Sequence, residues 1–144
     1  MRLLVDADAC PVVDIAIDCA RKRGIDVLLV CDTAHVMQRE GAQTLMVDQG
    51  ADSADLALVN RAQRGDVVVT QDYGVAAMAL GKGCRALDQN GREYTDGNMD
   101  ALLFARHEAG RIRRSGGRTK GPKKRTKDMD AAFSMTLERI LSGI

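Results

Sequence analysis

Tryptophan is absent from this 144-residue chain, and Tyr and Phe occur only twice each. A core without aromatic bulk must be aliphatic, built from Val, Leu, Ile, Ala and Met, which suits a buried parallel sheet flanked by Ala-rich helices. The four cysteines, Cys10, Cys19, Cys31 and Cys84, form no C-x-x-C pair. Zinc spacing is therefore missing and a disulfide framework is not expected; buried free thiols in a reducing cytoplasm are. No apolar stretch approaches the ~18–20 residues of a membrane span, and no charged segment precedes a long apolar run. The expectation is a soluble, cytoplasmic protein with no membrane partner. A chain of this length is expected to form a single domain over residues 1–144.

Charge is short only on average. The formal net charge is +1, yet residues 111–127 hold nine Lys/Arg and no acid, so the remainder is net acidic. Imidazole is scarce as well, limited to His35 and His107. His107 sits beside Arg106 and near the basic run, where phosphate contact and an ordinary surface histidine are both open readings.

What the chain has in quantity is apolar runs that end on aspartate. Leu3-Leu4-Val5 meets Asp6, with Asp8 two residues on; Val27–Cys31 meets Asp32; Leu45–Val47 meets Asp48; Val67–Gln71 meets Asp72. Helical spacing after Pro11, over 53–64 and over 73–81 alternates with these runs, and 84–87 gives a fifth strand. The alternation predicts an α/β domain, three-layered, with a mainly parallel sheet of about five strands and right-handed crossovers. Beyond residue 88 the pattern changes: helices are expected near 99–110 and from Thr126 or Asp128 onward, separated by a flexible, Gly-rich basic loop over 111–127.

In such sheets ligands sit outside the carboxyl ends of the strands, so the aspartates gather at one edge. Asp6 and Asp8 in an extended D-x-D point the same way, and Asp52 and Asp55 at a helix start share a face. Asp72 lies in the turn after the most apolar strand, and Thr70 is placed to hold a carboxylate. Helix capping is the competing account for Asp8, Asp52, Asp55 and Asp72. Asp32, Asp48 and Asp88 are expected to be solvated loop acids. Carboxylate oxygens without interleaved His or Cys suit a hard cation, Mg²⁺ or Mn²⁺, able to activate water and stabilise the leaving oxygen of a phosphodiester. The basic run, with Arg113, Arg114, Arg118, Lys120, Lys123, Lys124 and Arg125, matches a charge-led clamp on a nucleic-acid backbone, RNA before DNA; its lack of aromatics argues against base stacking. A solvated cationic loop, or one folded over the acidic cleft, is the competing account.

The segments Val5–Pro11, Gly50–Asp55, Gly65–Gly74 and Gly121–Lys124 resemble the bacterial YaiI/YqxD family of uncharacterised proteins, in order and across essentially the whole chain. That family is in turn similar to PIN-like nuclease domains, which place acids after the first and fourth strands and on a central helix around Mg²⁺ or Mn²⁺. The resemblance implies catalytic roles for Asp6, Asp52 or Asp55, and Asp72, with Asp8 as an additional ligand; the basic segment and final helix depart from the ordinary PIN pattern. Three functions stay open: a metal-dependent nuclease, first of all a ribonuclease; a non-catalytic RNA-binding or regulatory protein; and a phosphatase of the haloacid dehalogenase type, with Asp6 as nucleophile, Asp8 as acid and Lys82 as its lysine. Against the last, Cys10 stands where that signature has Thr or Ser.

Overall fold

A computed structural model of the chain describes residues 1–32, 38–48, 53–116 and 124–143. The first apolar run is β1 (Arg2–Asp6), followed by α1 (Val13–Arg21), β2 (Asp26–Asp32) and β3 (Gln43–Val47). Then come α2 (Ser53–Arg61), β4 (Val67–Val69), α3 (Tyr73–Gly81) and β5 (Arg85–Leu87). The chain ends with β6 (Glu93–Tyr94), α4 (Asp96–Arg114) and α5 (Lys127–Leu141). The domain is α/β, with a six-stranded sheet ordered β3-β2-β1-β4-β5-β6. Every pairing is parallel except β5 with β6.

The sheet is buried on both faces because helices cover both, and the alternation of side chains along each strand divides the core in two. Leu3 and Val5, with Leu29, Cys31, Val67, Val69 and Leu87, pack against α1 and against Phe133, Leu137 and Ile140 of α5. Leu4, with Leu28, Val30, Val68 and Ala86, packs against Leu58 of α2, Val75 and Ala79 of α3, and Met99 of α4. Asp6 lies two residues beyond Leu4 and therefore emerges on the α2/α3 side of the sheet.

Strand order decides where a ligand can bind. From β1 the chain moves outward through β2 and β3, then returns to the other side of β1 and moves outward again through β4 and β5. The crevice beyond the carboxyl ends of adjacent β1 and β4 is the switch point at which α/β sheets accept ligands. All four cysteines are free, with Cys19, Cys31 and Cys84 buried and Cys10 partly so, in line with the sequence expectation. Among the described residues no helix is long and apolar enough to cross a membrane.

Two features differ from the sequence reading. A sixth strand is present; it is two residues long and too short to leave a periodic signal. It is secured by the two-pronged Arg85–Glu93 pair, at 2.9 and 3.0 Å. Helix α4 begins at Asp96, capped by a reciprocal Thr95–Asn98 box, and runs on to Arg114. Residues 111–114 are thus helical rather than part of a loop. The reason is electrostatic and local: Arg111, Arg113 and Arg114 occupy the last turn, where the helix end is partially negative, and Arg is a good helix former.

At the opposite edge of the sheet, buried Asp66 accepts the Arg2 backbone N–H at 2.9 Å through Oδ1 and that of Gln63 at 2.9 Å through Oδ2. It thereby ties the start of β1 to the α2–β4 connection. Asp66→Ala strands both donors and should lower unfolding stability by about 2–4 kcal/mol, with Asp66→Asn costing less because one acceptor survives. Urea denaturation monitored by circular dichroism measures both.

Candidate functional site

Three elements deliver acids to the switch point. Asp6 ends β1 and Asp8 follows in the turn after it; Asp55 stands in the first turn of α2; Asp72 precedes α3. Asp6 is held by Thr70, whose Oγ1 donates to Asp6 Oδ2 at 2.9 Å. The backbone N–H of Asp72 donates to the same Oγ1 at 3.0 Å, so one hydroxyl joins the end of β1 to the turn after β4. Thr70 is itself buried, and its carbonyl accepts from the buried Tyr94 hydroxyl at 3.0 Å. The supporting role expected of Thr70 therefore has a geometric basis.

Asp72 caps α3, its Oδ1 accepting from Gly74 and Val75 N–H at 2.8 and 3.2 Å. The competing capping account is thus correct for Asp72, and the same residue also lines the cleft. Asp8 accepts from the Asp32 N–H at 3.2 and 3.3 Å, which fixes the β1–α1 turn to the end of β2; it does not cap α1, whose N-cap Val12 has no side-chain bond. Directly after Asp8, Ala9 takes a left-handed conformation, φ 56°, the one non-glycine to do so among the described residues. That is a costly backbone for a residue with Cβ, and it lines the same cleft.

The Asp6 carboxyl is pushed up from 3.8 to about 6. Burial is the main cause; the Thr70 hydrogen bond opposes it, and the negative charges of Asp55, Asp8 and Asp72 add to it. Three described acids thus act on the Asp6 carboxyl. Asp52 lies outside the described residues. Among the described residues no group of three or more His, Cys, Asp or Glu side chains is arranged to hold a metal ion by itself. The donor set does fit a hard cation in kind, since Mg²⁺ keeps several waters and takes one or two carboxylates together with substrate phosphates.

Of the opposite wall, the sequence reading named Arg113 as a cation for nucleic acid but did not place Ala105, Arg106 or Ala109 at the site. A cleft of about 670 Å³ is lined by Asp6, Asp8, Gln71 and Asp72 on one side and by Ala105, Arg106, Ala109 and Arg113 of α4 on the other. Small residues at 105 and 109 leave room, while arginines at 106 and 113 supply charge. Their i, i+4 and i, i+7 spacing places them on one helix face, a periodicity legible in the sequence itself.

The expected cations otherwise divide. Arg113 and Arg114 belong to α4, and Lys124 is exposed. Arg125 is spent within the protein, donating to Asp130 Oδ1 at 2.7 Å, Asn90 Oδ1 at 2.9 Å and the Gln89 carbonyl at 2.8 Å. Arg118, Lys120, Lys123 and His35 lie outside the described residues. Asp88 organises the β5–β6 turn by accepting from Asn90 and Arg92 N–H, and Asp48 is exposed, so neither joins the site. Lys82 does not reach the cleft either: it follows α3, at the amino-terminal edge of the sheet, and donates to the Val59 carbonyl at 2.7 Å.

Fold and cleft together define a doubly wound α/β domain with a carboxylate pocket at its switch point and a cationic helix across from it. The chain belongs to the family described as "Uncharacterized BCR, YaiI/YqxD family", whose model matches residues 4–143. It is 54% identical over 142 residues to a UPF0178 protein of Exiguobacterium sibiricum, covering 99% of this chain and 97% of that one. It is 53% identical over 137 residues to a UPF0178 protein of Ruminiclostridium cellulolyticum, covering 95% and 90%. A UPF0178 protein of Clostridium kluyveri is 46% identical over 144 residues, covering 99% and 95%. No solved structure matches the chain.

A raised carboxyl has a definite thermodynamic sign. The native state binds the Asp6 proton more tightly than the unfolded chain does, so this group contributes stability below about pH 4 that is lost as pH rises through about 6. Asp6→Asn keeps an acceptor for Thr70 and removes the charge. It should be more stable than the parent at pH 7 by on the order of 2 kcal/mol, after allowance for partial exposure, with the difference vanishing toward about pH 4. Denaturation curves across that range test both the size and the slope.

Proposed function

We propose that this protein is a metal-dependent nuclease, acting on RNA, that hydrolyses phosphodiester bonds at the Asp6 cleft. The observation that supports the reading is the juxtaposition within one cleft. A half-buried carboxylate crowded by other acids faces two arginines across a space large enough for a phosphodiester. Either feature alone has a structural explanation. Together they suit a phosphoryl group that is neutralised from both sides, by arginine on one and by a cation held on the carboxylates on the other.

In this reading Asp6 and Asp72 hold Mg²⁺ or Mn²⁺, with Asp8 beside them and Asp55, joined by Asp52, orienting the attacking water. When bound, the cation supplies Lewis-acid stabilisation of the phosphoryl oxygens and eases deprotonation of water. The remaining work belongs to the chain. Thr70 fixes the Asp6 rotamer so that its free oxygen faces the cleft, the cap at α3 fixes Asp72, and Arg106 and Arg113 orient the non-bridging oxygens of the substrate. Lys82 at the far edge of the sheet supports the nuclease over the phosphatase, which needs a lysine beside its nucleophile.

Cleavage of labelled single-stranded RNA with Mg²⁺ or Mn²⁺ tests the proposal. Asp6→Asn and Asp72→Asn should abolish turnover while binding persists, chelation should do the same to the parent protein, and Thr70→Val should slow turnover about 10–100-fold. Cleavage that survives in Asp6→Asn and in chelator overturns the reading. RNA binding without turnover under either metal would instead support a non-catalytic RNA-binding protein.

A further inference from the structure

Helix α4 carries more charge than a single phosphate requires. Beyond Met99 and the half-buried Leu102 it stands largely exposed, and it contains no acid after Glu108. A second groove of about 380 Å³ runs along it, lined by Leu103, Arg106, His107, Gly110, Arg113 and Arg114. Arg106 and Arg113 line both this groove and the acid cleft, so the two are continuous through those side chains.

The spacing is regular. Arg106 and Arg113, and likewise His107 and Arg114, are seven residues apart, two turns of helix, and rise about 10 Å along it. That length corresponds to about three stacked nucleotides at ~3.4 Å each. Gly110 lines the groove beside them and adds no side chain to it; a Cβ there would come within 3.2 Å of Arg114 Nη1, the movable tip of another groove-lining residue. Leu103 adds apolar surface and the guanidinium planes add stacking surface, both of which unpaired bases accept. Arg111 does not belong to this face; it lines neither cavity and pairs with Glu108 at 2.9 Å.

We propose that the Arg106–Arg114 face of α4 is a rail for the backbone of a single-stranded polynucleotide, leading its chain past the acid cleft, so that the substrate is a polymer and not a mononucleotide or small phosphate ester. The proposal rests on the phosphodiesterase reading of the cleft for its direction, while the rail itself is a binding claim. One basic face along one helix engages one backbone, and its position beside the cleft sets which phosphate lies over Asp6.

Binding of fluorescent oligouridylates of increasing length to Asp6→Asn protein in chelator isolates the rail from catalysis. Affinity should rise with length until the groove is filled, and fall steeply with salt. Arg106→Gln and Arg114→Gln should each lower the slope of log K against log salt by about 0.7. Arg111→Gln, the same charge change off the rail, should leave the slope as it was. Gly110→Met fills the groove without altering charge and favours the helix, so it should remove the length dependence while circular dichroism stays native. Length-independent binding, or an Arg111→Gln loss equal to that of Arg106→Gln, overturns the rail even if the cleft cleaves RNA. Rail-dependent binding in a wild-type protein that cleaves no phosphodiester would uphold the rail and remove the nuclease.

Discussion

The hydrogen bond from Thr70 to Asp6 exists only because β1 has β4 as its neighbour. Residues 64 apart in sequence meet at 2.9 Å because the sheet reverses its direction of growth at that boundary. The same reversal opens the crevice above them and aims the amino-terminal ends of α2 and α3 at it. Those helix ends carry partial positive charge, which helps to tolerate Asp55 and Asp72 there. Even so, the compensation is incomplete, and Asp6 keeps the excess as a carboxyl displaced to about 6. A domain that held this proton for stability alone would gain from an amide at position 6. Retaining a crowded acid at the switch point is the kind of local conflict that function accounts for.

Much of the fold was legible in the chain because the relevant signals are local. Val67-Val68-Val69 can be little other than a buried strand, and Tyr73–Gly81 begins one residue after a capping aspartate. Sheet order was not legible, since the sequence says which segments are strands but not that β4 returns to lie beside β1. Strand β6 was invisible because two residues have no period. The extent of α4 was obscured by composition: arginines near glycines suggest a solvated loop, whereas at a helix carboxyl end those same arginines stabilise the last turn.

The site was half legible for a related reason. Asp6 and Asp72 announce themselves by ending apolar runs, and Asp8 and Asp55 follow by spacing. The criterion that found them also swept in Asp32 and Asp48; Asp48 is exposed, whereas Asp32, expected as a solvated loop acid, ends β2 half-buried because the strand runs through it. The facing wall required tertiary knowledge. Arg106 looks like any surface arginine until α4 is laid across the cleft, and Arg125 looks like a free cation until Asp130, Asn90 and Gln89 are found around it. Cations nearby in sequence thus play opposite parts, one group facing a cavity and one stapling α5 to the β5–β6 turn.

The proposed nuclease turns on the negative charge that converges on Asp6 and on the cation proposed to meet it. Side-chain carboxyl NMR of the ¹³C-labelled protein measures this directly, by titrating Asp6 with and without Mg²⁺. The expected result is a midpoint near 6 in the absence of the metal, falling clearly when Mg²⁺ is added. A midpoint in the ordinary aspartate range that Mg²⁺ leaves unmoved would contradict it.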